Sequence, residues 1–209
     1  MRELAQNLKQ FLEKYIDLID NNNFSELYYK FQTSNDTRYM LIAKLSEVLL
    51  ECDINPIPYF NDGEIPPSFL AESDIIKLPN ITANIKNIKS YAFYGLNNIY
   101  GALDLSNTEI KQISLEAFGS MNNITTLILP ESLETLKPQS FVNCSNLSKV
   151  YFGKNIKNIH MSCFRDCSNI HLIEFNMRYN TFINNVYLSS TAFSSLSPEC
   201  EVKFLDKSI

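Results

Sequence analysis

The residues of this chain with the richest chemistry are Cys144, Cys163 and Cys167, interleaved with its two histidines, His160 and His171. Thiolate and imidazole are zinc ligands, but a structural zinc site needs four of them, usually as two close pairs. Here a single C-x3-C pair stands alone. Cys144 and Cys167 lie 23 residues apart, and stacked buried thiols acting as small apolar groups account for that distance better than a metal does. Cys52 and Cys200 bring the total to five, an odd number that fits a reducing compartment better than a disulfide framework. The chain has no Gly-x-x-x-x-Gly-Lys, no Gly-x-Ser-x-Gly and no His-Glu-x-x-His, and its 5 glycines leave little material for a phosphate-cradling loop. Acidic residues are scattered, without the converging pair that acid/base catalysis requires. The expectation is a non-enzyme without metal or cofactor, working through non-covalent contacts.

The elements that would present such contacts come from a repeat. Around Phe118 stand Ile110, Ile113, Ile124, Leu127 and Leu129; around Phe141 stand Leu133, Leu136, Leu147, Val150 and Phe152; around Phe164 stand Ile156, Ile159, Ile170, Ile173 and Phe175. Both steps between these phenylalanines are 23 residues. Phe69, Phe93 and Phe193 extend the register to six points, with worn outer units of the kind that terminate a stack. A period in this range with short apolar-x-apolar strands predicts a leucine-rich-type solenoid. Each strand sends its first and third residues inward and its middle residue outward. No unit buries its apolar residues alone, so stability accrues through stacking.

The residues also carry a family likeness. Leu133-Glu-Thr-Leu136 leading to Ser140-Phe141-Val-Asn-Cys144-Ser-Asn146-Leu147 resembles the BspA-type leucine-rich repeat, and Ile156, Ile159, Cys163-Phe164, Cys167 and Asn169-Ile170 repeat the pattern. Ala92-Phe93 and Ala117-Phe118 keep the Ala-Phe pair, with Gly95 or Ser120-Met121 near the cysteine position. The resemblance covers about residues 65–204 and implies a scaffold for binding another protein. A helical leader joined by a proline-rich segment to a few such repeats is similar to short phage-encoded repeat proteins. That likeness implies either an inhibitor of a host defence or nucleic-acid enzyme, or a virion or assembly component.

The predicted fold class is α+β: a helical N-terminal unit over residues 1–53, a connector over 54–67 and a solenoid over 68–209. Leu4, Leu8, Phe11, Leu12, Tyr15, Ile16 and Ile19 have the spacing of one helical face. Pro56, Pro58, Pro66 and Pro67 exclude a helix or central strand from the connector. Hydrophobic residues at 45% and charged residues at 20% describe a folded chain. A net charge of −5 gives no general reason to expect direct binding to nucleic acid or an anionic membrane. Charges and amides interrupt residues 1–9, so no secretory leader is expected, and the reading is cytoplasmic, in host cytoplasm if phage-encoded.

The candidate binding residues follow from the strand offsets. Lys77, Asp104, Ile128, Tyr151, Glu174 and Lys203 should point outward, flanked by Thr126, Lys149 and Leu172. Ile128, Tyr151 and Leu172 place apolar surface on adjacent rungs between charged ends, the pattern of an interface centre with a polar rim. The alternative is that the helical leader folds over them. The unit after Phe164 is longer by 6 residues, predicting a projecting loop that includes Tyr179 or an irregular approach to a cap. An enzyme with a site at the junction of helices and repeats remains the competing class.

Overall fold

The computed structural model describes residues 63–208 together with Ser46, Leu50, Asn55 and Ile57. The expected helical unit otherwise lies outside the described residues, although Ser46 and Leu50 are helical. Each repeat makes one turn of a β-solenoid, and the turns stack so that equivalent residues of neighbouring repeats touch. Strands β1 (Glu64–Ile65), β2 (Asn87–Ile88), β4 (Gln112–Ile113), β6 (Thr135–Leu136), β8 (Asn158–Ile159) and β10 (Tyr187–Leu188) form a narrow parallel sheet in that order. Strands β3 (Gly101–Asp104), β5 (Ile124–Ile128), β7 (Lys149–Phe152), β9 (Leu172–Phe175) and β11 (Glu201–Phe204) form a broader parallel sheet. Its last strand is closed by antiparallel β12 (Lys207–Ser208). Over residues 63–208 the architecture is therefore almost wholly β, with one short helix, α1 (Tyr179–Asn185). Among the described residues no helix is long and apolar enough to cross a membrane.

The interior explains the repeating letters. Phe93, Phe118, Phe141, Phe164 and Phe193 stack ring on ring, with centroids 5.0, 5.3, 5.5 and 4.8 Å apart. A second spine, Phe152, Phe175 and Phe204, runs behind the broad sheet at 4.6 and 5.3 Å. The residue before each key phenylalanine is small and buried because it faces the same crowded interior: Ala92, Ala117, Ser140, Cys163 and Ala192. Fully burying one phenylalanine contributes roughly 1.5–3 kcal/mol, so the spines supply a large part of the cohesion between turns.

The wall carrying these phenylalanines is hydrogen-bonded along the stack without being a regular sheet. Phe93 N–H donates to Ala117 O (2.8 Å), Phe118 N–H to Ser140 O (3.0 Å) and Phe141 N–H to Cys163 O (2.9 Å). The chain reaches this geometry by taking positive φ two residues before the phenylalanine, at Tyr91, Glu116, Gln139 and Ser162, and again two residues after it, at Gly95, Ser120, Asn143 and Asp166. Non-glycine residues in that region cost about 1 kcal/mol or more each, which the bonds between turns offset. The asparagine of the repeat ties the next corner: Asn123 Nδ2 donates to Asn97 O (2.6 Å) and Asn169 Nδ2 to Ser145 O (2.7 Å).

Two expectations shift. In the first turn the positive-φ pair is Ser68 and Glu72, and Leu70 N–H donates to Ala92 O. Leu70 therefore holds the key position, while Phe69 sits where the other turns have a small residue and meets Phe93 edge-on at 5.8 Å. Of the two readings of the insertion after Phe175, it is not a projecting loop: the seven residues of α1 lie in it, and Phe182 packs on Phe175 and Phe204 at 4.6 and 5.2 Å.

Candidate partner-binding face

The outer face of the broad sheet is set by the registers of its strands. One row runs Ala102, Thr126, Lys149, Leu172, Glu201; the other runs Asp104, Ile128, Tyr151, Glu174, Lys203. Neighbouring strands are about 4.8 Å apart, and residues two apart along a strand about 6.7 Å. Ile128 and Tyr151 are thus direct neighbours, and Leu172 is the diagonal neighbour of Tyr151. The three are half-buried, whereas their inward counterparts Leu127, Val150 and Ile173 are 0–2% exposed. Asp104 is exposed, and its Oδ1 accepts from Ser106 N–H (2.9 Å). Lys203 Nζ lies 3.1 Å from Glu201 Oε2. The centre is apolar and the ends are charged.

Of the residues expected on this face, Asp104, Thr126, Ile128, Lys149, Tyr151, Leu172 and Glu174 lie together on it. Tyr179, the candidate from the insertion after Phe164, lies apart from them. It opens α1, its N–H donates to Asp206 Oδ1 (2.9 Å), and its ring packs edge-on against Phe204 at 5.2 Å. Lys77 is exposed but lies in no strand, since the broad sheet begins at β3.

Sequence reasoning missed the narrow sheet, whose outer row is Glu64, Asn87, Gln112, Thr135, Asn158 and Tyr187. This face is polar and crossed by ion pairs: Lys86–Glu109 at 2.6 Å, Lys89–Glu64 at 2.9 Å and Lys157–Glu134 at 2.7 Å. Two-residue strands carry too little alternation to be seen as strands, though a polar residue before each inward Ile or Leu was the available signal.

The three cysteines of the central repeats are packed into the interior. Cys144, Cys163 and Cys167 are 0–1% exposed. Cys144 Sγ lies 3.3 Å from Phe118 O, Cys167 Sγ 3.1 Å from Phe141 O and Cys163 Sγ 3.2 Å from Lys137 O. The Cys144 thiol is held well above its ordinary range by a hydrogen bond with Cys167 and by burial. Burial pushes Cys163 up to about 11. Among the described residues no group of His, Cys, Asp and Glu could hold a metal ion.

A groove of about 1060 Å³ lies at the first turn, lined among others by Leu50, Asn55, Glu72, Ser73, Asp74 and Asp104. It is where a junction enzyme would place its site. Among the described residues the Ser73 hydroxyl is buried without a hydrogen-bond partner.

The BspA type leucine rich repeat region matches residues 63–208 in six copies. A leucine-rich repeat protein from Bacteroides ovatus is similar at 20% identity and a TM-score of 0.45, over 53% of this chain and 28% of that one. A leucine rich cell surface protein from Faecalibacterium prausnitzii is similar at 11% identity and a TM-score of 0.31, over 68% of this chain and 57% of that one. The chain thus spans between about a quarter and a little over half of those proteins. No match was found among curated proteins.

Proposed function

We propose that this chain, which belongs to the BspA-type leucine-rich repeat family, is a non-catalytic protein-binding module that engages its partner through the outer face of the broad sheet. Repeats of this family generally serve as interaction modules. The observation that carries the reading is the triad of Ile128, Tyr151 and Leu172 on adjacent rungs of an outer sheet face, with Asp104, Lys149, Glu174 and Lys203 around it. Parallel sheets normally have both faces covered, and an apolar centre with a charged rim is the anatomy of an interface. The backbone that spaces these side chains is held by the stacked turns, so binding orders few groups and loses little entropy.

The finer reading, inhibition of a host enzyme from the cytoplasm, rests on the phage likeness and the net charge of −5. Carboxylates at Asp104 and Glu174 are the groups an inhibitor would offer to a surface that otherwise takes nucleic acid.

The test is affinity capture of the unmodified protein, Tyr151→Ala and Ile128→Asp, with folding checked by circular dichroism. A central tyrosine contributes about 2 kcal/mol or more, roughly 30-fold in affinity, so both variants should lose the partner while remaining folded. Retention of every partner by both variants would refute the sheet-face assignment.

A further inference from the structure

The broad sheet begins at β3, although a turn of the solenoid precedes that strand. Gly101 N–H donates to Asn123 O (3.1 Å) and Leu105 N–H to Ile128 O (2.9 Å), so both point toward β5. Backbone groups alternate sides along a strand, which turns the N–H and C=O of Ala102 and Asp104 toward the first turn. At the same positions one turn later, Thr126 and Ile128 are paired with β3.

The first turn gives β3 no such partner. From Ile75 to Pro79 the chain passes alongside without forming a strand, and among the described residues none of its backbone groups is hydrogen-bonded. The groove of about 1060 Å³ lies here, lined by residues 72–81 from the first turn and by Asp104 and Leu105 from β3 and the residue after it. An edge strand with unpaired N–H and C=O groups is a template for another strand, and beside this one there is room for it.

The lining selects the occupant. Three carboxylates, Glu72, Asp74 and Asp104, stand against the single ammonium of Lys77, and a cleft lined mostly by one sign of charge attracts the other. Pairing β3 with β3 of a second copy would bring Asp104 close to its counterpart, so charge disfavours self-pairing. Between the carboxylates the lining is apolar: Ile76 is 82% exposed, Leu78 is half-buried against the core and Leu105 is 2% exposed. An added strand sends alternate side chains to opposite sides, one set beside Asp104 on the outer face and the other against Leu78 and Leu105. We propose that β3 is a strand-addition site: an extended segment of a partner protein, alternating basic and apolar residues, enters the groove and bonds to the outward backbone groups of Ala102 and Asp104. Backbone bonds supply the affinity in this mode, while the carboxylates and the apolar lining choose the sequence. The site lies at the edge of the sheet and does not rest on the outer-face triad.

The probe is a synthetic peptide of about eight residues alternating lysine and valine, titrated into the full chain by fluorescence anisotropy. Beside it stand a peptide with glutamate for lysine and two lysine peptides methylated on one or the other alternate set of backbone nitrogens. The lysine peptide should bind, and the glutamate peptide at least about 10-fold more weakly. Because the N–H groups of an extended chain alternate sides, methylating one set should weaken binding at least about 10-fold and methylating the other should change it little. Asp104→Lys should weaken the lysine peptide by about 10-fold or more with the circular dichroism spectrum unchanged. Amide exchange by NMR reads the edge itself: the Ala102 and Asp104 amides should exchange quickly in the free chain and slowly with the peptide bound, while Leu103 is slow in both. Equal binding of the two methylated peptides would reduce the contact to charge and overturn strand addition, as would a lysine peptide that does not bind. Protected Ala102 and Asp104 amides in the free chain would show the edge already held by another part of this chain or by a second copy, and would refute the site.

Discussion

If the aromatic spine holds the turns together, the loss on truncating a ring should depend on its place in the stack. Phe141 is 0% exposed and lies between Phe118 at 5.3 Å and Phe164 at 5.5 Å, with both pairs within 3° of parallel. Truncating a buried phenylalanine to alanine costs about 3–5 kcal/mol, including the cavity. Two stacked pairs, each worth about 0.5–1.5 kcal/mol beyond area, place Phe141→Ala near the top of that range. Phe193 is half-buried and stacks on Phe164 alone, at 4.8 Å, within the spine. Its truncation should cost about half as much, roughly 2 kcal/mol. Domains of this kind are stable by about 5–15 kcal/mol, so Phe141→Ala should remove a third or more of the total and Phe193→Ala much less.

Urea unfolding followed by far-ultraviolet circular dichroism measures both. Because stability in a solenoid is a sum of turns and their couplings, the central variant should also broaden the transition or lower its slope as the two halves partly uncouple. Equal losses at the two positions, or a loss under about 1 kcal/mol at Phe141, would mean that the hydrogen-bonded walls rather than the rings set the coupling.

Glycine and charge give two further tests. A Cβ at Gly153 would stand 2.5 Å from Pro130 O and 2.6 Å from Glu131 Cα, backbone atoms that cannot yield, so Gly153→Ala should cost about 3 kcal/mol or more. Gly101→Ala meets nothing within 4 Å but must hold φ near +79°, and should cost only about 1–2 kcal/mol; thermal melts that rank the two the other way would refute the contact. Glu109 and Glu134 are held below their ordinary value of 4.5 first by hydrogen bonds from Lys86 and Lys157 and then by those charges. A lowered folded value means the pairs stabilise above the carboxylate range and lose that contribution as pH falls through it. Replacing both by Gln should flatten the decline in urea midpoint below about pH 4.5 while leaving pH 7 nearly unchanged, and an unaltered acid slope would show that other carboxylates control it.

How much of this was legible in advance depends on how much each element writes into side-chain alternation. The broad sheet was readable because Leu127-Ile128-Leu129 and Val150-Tyr151-Phe152 alternate in and out across three residues, enough to assign the outward positions. The narrow sheet was not, since Gln112-Ile113 or Thr135-Leu136 is indistinguishable from a turn ending in an apolar residue. The register of the first turn slipped by one because Phe69 was taken as the key residue, whereas the turn is keyed by positive φ at Ser68 and Glu72, and ordinary side chains do not advertise that conformation. The length of the insertion marks Tyr179 as part of a projecting loop or of an irregular approach to a cap. The insertion folds instead onto Phe175 and Phe204, a choice made by the exposed end of the second spine, which exists only in three dimensions.

The contrast between the two outer faces is what supports the proposed binding face. Both faces arise from the same repeat and the same kind of parallel ladder, and both outer rows point away from an interior whose residues are 0–7% exposed. On the narrow face the outward positions from Glu64 to Asn158 hold polar side chains, as when Asn87 Nδ2 donates to Glu64 Oε1 (3.1 Å). Water does the same work for such a face, so it gives no reason to expect a partner. On the broad face Ile128, Tyr151 and Leu172 occupy positions of the same kind, where packing makes no demand for apolar surface and solvent disfavours it by roughly 25 cal/mol per Å². Apolar side chains at positions indifferent to the core have to be accounted for by something outside it. Covering this triad is the one process described here that would recover that free energy.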